Sequence, residues 1–256
     1  MRDRLNRSFS ARRVVDSRSG MWLQAATPLY PPALPMRIFT QNLYNGRGDP
    51  YSFAEVLRAH QPDVVAVQEL SANATSVLED WGTTTLLDPR DDTTGMGVAV
   101  RGAAILERLD FPFRSPVTVT LPAEAWDFGT DVQLVNTHLV NPIARPIPHS
   151  RKLRVREFEA LQTLITDGSQ PQARILVGDF NSSPAWPLYR KLRKLVTDGA
   201  VAAGTARRTW GPWPSSPRLL RIDHVFTRGP VRVTGTRTLK VAGADHRGLL
   251  IDVESA

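Results

Sequence analysis

Residues 175–184 read ILVGDFNSSP, and this stretch decides our interpretation of the fold. The apolar run at 175–177 suits a strand in the middle of a sheet. After a glycine, the strand ends on Asp179 and Asn181, which flank a phenylalanine. Two other apolar runs end on polar residues in a similar way, VVAVQEL at 64–70 and VQLVNTHL at 132–139. Polar groups that end buried strands are costly without partners, so we expect these residues to act jointly.

The composition limits the class of protein. A chain of 256 residues with 41% hydrophobic residues can bury a large core, and single-domain sandwiches of this length are common. No stretch approaches the roughly 18 apolar residues of a membrane span. The chain has no cysteine, which excludes disulfides and thiolate metal sites. We therefore expect a soluble, cytoplasmic monomer without a membrane span.

The net charge of +7 suggests a nucleic-acid partner, but much of it lies in one segment. Residues 1–35 contain six arginines and two aspartates, a net charge of +4, which leaves +3 for residues 36–256. This segment ends with three prolines in five residues. We predict a flexible basic leader over 1–35, with a transit-type signal as the alternative, and a single domain over 36–256.

Strand and helix signals alternate from residue 36 onward. Asp49 and Pro50 are typical of a helix start, and further helices are predicted at 72–80, 150–166 and 186–195. No helical spacing separates the strands predicted between residues 94 and 121, which favours antiparallel neighbours. The predicted strands are 36–42, 64–70, 94–101, 104–111, 116–121, 132–139, 175–180, 221–227, 231–241 and 248–253.

Two Asp-His pairs occur near the end of the chain, at 223–224 and 245–246. His224 alternates with Asp223 along its strand, so we expect it to face away from the site. Carboxylates and amides without thiols suit Mg²⁺ or Mn²⁺, with Ca²⁺ as a further possibility. Histidines beside carboxylates can stay protonated and donate to an anionic transition state, and this combination indicates hydrolysis of a phosphate ester. The candidate residues are Asn42, Glu69, His138, Asp179, Asn181, Asp223, Asp245 and His246.

The ordered motifs resemble those of the endonuclease/exonuclease/phosphatase superfamily, in particular its deoxyribonuclease-type metal-dependent phosphodiesterases. The resemblance covers residues 36–256. It implies an α/β four-layer sandwich, with two mainly antiparallel sheets face to face, flanked by helices. It also implies a site at one end of the sandwich, where strand ends converge. The motifs are QN at 41–42, QE at 68–69, NTHL at 136–139, GDFN at 178–181, RIDHV at 221–225 and ADH at 244–246.

The resemblance also implies a metal site. Glu69 corresponds to the principal ligand, assisted by Asn42 and Asp245. The alternative for Asn42 is that it only caps the end of its strand.

Five further residues receive catalytic roles by resemblance. Asp179, oriented with Asn181, would position or deprotonate the attacking water. His246 would bind a phosphoryl oxygen, with Asp223 as its charged partner. His138 would contact the phosphate or assist the leaving group.

Two alternatives concern the partners of these residues. Asp223 could instead pair with Arg221, a modest interaction at a surface. By resemblance to the deoxyribonuclease type, Asp88 or Asp91 could pair with His138, although an aspartate before a proline also suits a turn.

The substrate interpretation rests on neighbouring residues. A histidine in the NTHL motif disfavours an abasic-site enzyme, and the absence of a long apolar hairpin disfavours a sphingomyelinase. Arg145 and Arg154 could contact a DNA backbone, and Trp210 could stack on a base or, equally, belong to a loop packed over the core. We therefore predict a DNA endonuclease of low sequence specificity. The alternatives are a phosphodiesterase or phosphatase for a lipid headgroup or small phosphorylated metabolite, and a catalytically silent nucleic-acid-binding module.

Overall fold

A computed structural model describes residues 35–168 and 171–256. The leader predicted over residues 1–35 lies, apart from Pro35, outside the described residues. The first described strand begins at Met36. No described helix is long and apolar enough to cross a membrane.

The described residues form five α-helices and twelve strands. The helices are α1 (Pro50–His60), α2 (Thr75–Trp81), α3 (Ile147–Thr166), α4 (Pro187–Leu192) and α5 (Gly199–Ala202). The strands are β1 (Met36–Asn42), β2 (Val64–Gln68), β3 (Thr84–Asp88), β4 (Met96–Val100), β5 (Ile105–Arg108), β6 (Val117–Leu121), β7 (Val132–His138), β8 (Ala173–Asp179), β9 (Thr197–Asp198), β10 (Asp223–Arg228), β11 (Val231–Lys240) and β12 (Arg247–Ser255).

The strands form two six-stranded sheets, in the orders β11-β12-β1-β2-β4-β3 and β5-β6-β7-β8-β10-β9. Each sheet contains one parallel pair, β1 with β2 and β7 with β8. The other strand pairs are antiparallel. This confirms the predicted α/β sandwich of two mainly antiparallel sheets.

Alternating side chains build the layers of the sandwich. Ile38 packs between the two sheets, whereas its neighbour Phe39 packs against the helices that cover the first sheet. In the second sheet Ile175 points inward, and Leu176 packs with α3 and α4 on the outer face. Because both faces of these strands are buried, their sequences are continuous apolar runs rather than alternating ones.

The start of α1 follows the predicted chemistry. The Asp49 side chain accepts a hydrogen bond from the Tyr51 amide, and Pro50 occupies the first turn. Phe53 and Leu57 are buried one turn apart, which places α1 against the first sheet.

Two features of the strand order differ from the sequence-based expectation. β4 pairs with β2 and β3 in the first sheet, so its expected pairing with β5 is wrong, whereas the expected antiparallel pairing of β5 with β6 is confirmed in the second sheet. β3 was not predicted. Hydrophobic runs reveal that a segment is extended, but the choice of sheet depends on contacts with distant strands.

Candidate active site

The parallel strand pairs bring polar side chains to one end of the sandwich. β1 ends at Asn42 and Glu69 directly follows β2, while β8 ends at Asp179 in the other sheet. The Asn42 Nδ2 atom lies 3.2 Å from both Glu69 Oε1 and Asp179 Oδ2. Polar residues that end strands of different sheets therefore meet in one pocket.

Unusual backbone conformations shape this pocket. Glu69 and Asn181 have φ angles of 53° and 45°, in the left-handed region that costs non-glycine residues about 1 kcal/mol. Gly178 has a φ of 124°, and a Cβ atom there would lie 2.1 Å from the Thr137 carbonyl oxygen. The glycine therefore lets β8 approach β7 closely, immediately before Asp179.

His138 lies beside both carboxylates. Its Nε2 atom is 3.6 Å from Asp179 Oδ2 and 3.8 Å from Glu69 Oε1. Burial, together with the positive charge of Arg114, holds the pKa of His138 well below its usual range. The imidazole is therefore neutral at pH 7.

His246 has the opposite charge state. The pairing of β8 and β10 sets Asp223 opposite Asp179, and His246 Nδ1 lies 2.9 Å from Asp223 Oδ2. Burial disfavours the imidazolium, but the nearby carboxylates of Asp223 and Asp179 outweigh it and raise the pKa of His246 to about 10. Its Nε2 atom lies 3.8 Å from Asp179 Oδ2, so a charged N–H faces the pocket.

Asp179 is surrounded by hydrogen-bond donors. The Asn181 backbone amide donates to Oδ1 at 2.8 Å, and the Asn181 side-chain amide donates to Oδ2 at 3.1 Å. Burial raises the pKa of Asp179 to about 7. A carboxylate that is held in position and is more basic than usual is suited to take a proton from water near neutral pH.

The residues present fit a hard divalent cation. Burial raises the pKa of both Glu69 and Asp245. One oxygen of Asp245 accepts from Trp210 Nε1 at 3.1 Å, and the other is buried without a hydrogen-bond partner. Buried carboxylate oxygens with free lone pairs are the donors that Mg²⁺ and Mn²⁺ prefer.

The orientation of Asn42 differs from that of a ligand. Its Oδ1 atom accepts from the Tyr44 backbone amide at 2.9 Å, and its Nδ2 atom faces the carboxylates. Asn42 thus bridges Glu69 and Asp179 in this orientation.

Among the described residues, one group of three places a ligand atom from each side chain within 4.8 Å of the others: Asp179, Asp223 and His246.

Arg154 has a different position from the one expected for a substrate-binding residue. It is buried, and its guanidinium donates to the Phe180 carbonyl at 3.0 Å, the Asn181 carbonyl at 2.7 Å and the Val140 carbonyl. Glu157, one turn later on α3, accepts from the Val140 amide at 2.8 Å. The two side chains hold together the loops that follow β7 and β8.

The helical spacing of this pair is a signal visible in the sequence. Arg154 and Glu157 share one face of α3 with Leu161 and Ile165, and all four are buried. Charged residues on the apolar face of a helix need partners, and here the partners are backbone groups of the site loops.

Arg114 is a second buried cation that the sequence analysis missed. It lies between β5 and β6 and donates to the Leu139 carbonyl at 3.0 Å and to Thr93 Oγ1 at 2.8 Å. Its positive charge interacts electrostatically with the carboxylates of Glu69 and Asp179. No periodicity or motif near residue 114 distinguishes this arginine from those at the surface.

The other two residues predicted to bind substrate differ in environment. Trp210 is half-buried and orients Asp245 through its indole N–H. Arg145 is exposed on the loop between β7 and α3.

Two alternative pairings are not observed. Asp88 forms ion pairs with Arg90 and Arg108 rather than with His138, and Asp91 is exposed. Arg221 pairs with Asp198 at 2.8 Å, which leaves Asp223 to His246.

His224 faces away from the site, as its alternation with Asp223 predicted. Its Nε2 atom lies 2.7 Å from the Ser182 carbonyl, and its ring packs against Phe180 and Phe226.

The family model described as the Endonuclease/Exonuclease/phosphatase family matches residues 39–246. No curated protein matches the chain.

Several solved structures share the fold at low sequence identity. An endonuclease/exonuclease/phosphatase family protein from Leptotrichia buccalis is 19% identical with a TM-score of 0.64, over 86% of this chain and 99% of that one. The 3' phosphatase NExo from Neisseria, bound to a product DNA hairpin, is 20% identical with a TM-score of 0.63, over 85% and 98% of the two chains. D. rerio TDP2, complexed with a single-strand DNA product, is 16% identical with a TM-score of 0.62, over 86% and 99%.

The family model covers most of the chain, and its members are hydrolases of phosphodiesters or phosphate esters. The order of the motifs and the two-sheet fold agree with that match. The chain therefore belongs to the endonuclease/exonuclease/phosphatase family.

Proposed function

We propose that the protein is a divalent-metal-dependent phosphodiester hydrolase that acts on DNA as an endonuclease of low sequence specificity. One observation carries the proposal. The Asp179 Oδ2 atom lies 3.6 Å from the Nε2 atom of His138 and 3.8 Å from that of His246, and all three side chains are buried. The attack of water on phosphorus needs a base and hydrogen-bond donors close together. Asp179 would be the base, and the neutral imidazole of His138 and the charged imidazole of His246 would be the donors.

The chain's own residues would divide the chemistry. Asp179, held by Asn181, would orient a water molecule and accept its proton. His246, kept charged by Asp223, would donate to a phosphoryl oxygen as negative charge develops there. His138 is neutral, so it would act as a hydrogen-bond donor to the phosphate or near the leaving oxygen.

Glu69 and Asp245 would hold the cation, Mg²⁺ or Mn²⁺, with Ca²⁺ as a further candidate. When bound, such an ion neutralises negative charge on the phosphate and polarises its P–O bonds. The buried oxygen of Asp245 that lacks a hydrogen-bond partner supports this assignment. Asn42 would join the ligands only if its amide turned to present Oδ1.

DNA as the substrate is supported by two kinds of observation. The structures of NExo and TDP2 that share this fold are described with DNA products. On this chain, α3 and α4 carry several exposed basic residues, which suit contacts to a phosphate backbone.

Incubation with supercoiled plasmid tests the proposal. We expect nicking with Mg²⁺ or Mn²⁺ and none with a chelator. If the plasmid remains supercoiled with every metal but the protein still binds it, the protein would instead be a catalytically silent binding module.

A phosphatase acting on DNA ends is the second candidate, because the Neisseria relative is described as a 3' phosphatase. Release of inorganic phosphate from an oligonucleotide with a 3'-phosphate, without plasmid nicking, would favour it. Hydrolysis of bis(p-nitrophenyl) phosphate without either DNA activity would favour a small phosphodiester or lipid headgroup.

A further inference from the structure

A groove of about 570 Å³ lies between α3 and α4, beside the candidate active site. Arg154 and Ser182 both line it. Ser182 directly follows Asn181, and Arg154 donates to the Asn181 carbonyl at 2.7 Å. The groove is therefore continuous with the loop that orients Asp179.

The groove is apolar and partly aromatic. Phe158 from α3 and Trp186 at the start of α4 line it. Ile143 and Val155 also line it and are 68% and 56% exposed, so together with the two aromatic rings they form one apolar surface that solvent reaches.

Basic side chains line part of this groove. Arg151 and Lys191 line the groove, and the Lys191 Nζ atom lies 5.5 Å from the centre of the Phe158 ring. Glu159 is the acidic residue among the lining side chains. Further exposed basic residues on and just after these two helices are Lys152, Arg156, Arg190, Arg193 and Lys194.

We propose that the groove between α3 and α4 binds an unpaired nucleic-acid strand next to the scissile phosphate. Bases would pack on Phe158, Trp186 and the exposed aliphatic residues, while phosphates would contact the basic rim. Aromatic surfaces with flanking cations are how proteins bind single strands without sequence readout. This inference rests on the proposed nuclease function. It adds a binding site for the nucleotides that flank the bond to be cleaved.

Binding of a fluorescein-labelled oligothymidylate, measured by anisotropy in chelator, tests the inference without turnover. The double substitution Ile143→Glu with Val155→Glu should weaken binding about tenfold or more. The matched control is Ile105→Glu with Val201→Glu, which makes the same charge change at two exposed aliphatic residues outside the groove lining. Lys191→Glu should also weaken binding. Its control is Arg58→Glu on α1, which makes the same charge change outside the groove and should leave binding unchanged.

Metal-dependent hydrolysis of bis(p-nitrophenyl) phosphate is measured on the same variants. We expect wild-type turnover of this small substrate, because it does not reach the groove. Equal oligonucleotide affinity in the groove and control variants would overturn the inference. Absence of metal-dependent plasmid nicking by the wild-type protein would instead contradict the proposed function, so the two failures are distinguishable.

Discussion

His246 Nδ1 lies 2.9 Å from Asp223 Oδ2, although 23 positions separate the two residues in the sequence. β10 supplies the aspartate, and the turn before β12 supplies the histidine. Both side chains are buried, so their interaction is little screened by solvent. The pair keeps a positive charge in the pocket and directs the other ring nitrogen towards Asp179.

Replacement of Asp223 tests the charge state of His246. Asp223→Asn should lower kcat for bis(p-nitrophenyl) phosphate by about a hundredfold, because an amide does not stabilise the imidazolium. The exposed Asp80→Asn is the control and should retain wild-type turnover. Wild-type kcat in Asp223→Asn would contradict the role given to this pair.

Removal of the residues proposed to act directly on substrate should separate activity from folding. Asp179→Ala and His246→Ala should each abolish turnover, while circular dichroism shows an intact fold. The fold should persist because Asp179 ends β8 and His246 immediately precedes β12, and neither side chain belongs to the apolar core clusters. Full activity in either variant would remove that residue from the mechanism.

Arg154 is expected to act through position rather than contact with substrate. Arg154→Met leaves three buried carbonyls without donors and should destabilise the protein by about 3 kcal/mol in urea unfolding. The kcat of Arg154→Met for bis(p-nitrophenyl) phosphate should fall while KM stays near the wild-type value, because the Asn181 carbonyl loses its hydrogen bond from Arg154. Arg154→Lys should recover part of kcat.

Arg156→Met is the matched control for this position, because Arg156 is exposed on the same helix. It should change neither stability nor kcat. An increase in KM alone for Arg154→Met would show that this arginine binds substrate after all.

A buried network around Asp198 should give the protein a pH-dependent stability. Burial alone would raise the pKa of Asp198, but the His224 ring 3.8 Å away, the hydrogen bond from the Tyr189 hydroxyl and the charge of Arg221 hold it well below its usual range. The ionised carboxylate therefore stabilises the fold above the unfolded-state pKa of about 4, and this contribution is lost as the pH falls below that value.

Asp198→Asn should accordingly be less stable than the wild type by about 3 kcal/mol at neutral pH. The difference should shrink as urea unfolding is repeated below about pH 4. A difference that is the same at both pH values would show that Asp198 contributes through packing and not through its charge.

Gly178 should not tolerate a side chain. Gly178→Ala places a Cβ atom 2.1 Å from the Thr137 carbonyl oxygen at a φ of 124°. We expect a loss of about 3 kcal/mol in unfolding free energy together with loss of activity, because β8 would move away from β7. Gly168→Ala is the control, since a Cβ atom there meets nothing within 4 Å.

The sequence alone determined the order of the motifs and the type of residue at each strand end. Buried strands require apolar runs, and a polar residue at the end of such a run is visible without a structure. Asp179 after ILVG and Glu69 after VVAVQ were identified for this reason. The two-residue period of a strand predicts that His224 faces away from the side that carries Asp223.

Only the tertiary structure decided the partners. Arg114 looks like other arginines in the sequence, and the place of Arg154 on the apolar face of α3 shows that it needs partners but not which ones, because both are buried among carbonyls of loops that lie far away along the chain. The assignment of β4 and β5 to different sheets also depends on pairing with distant strands. Local patterns report the conformation of a segment, whereas charge state and pairing arise from residues that only folding brings within a few ångströms.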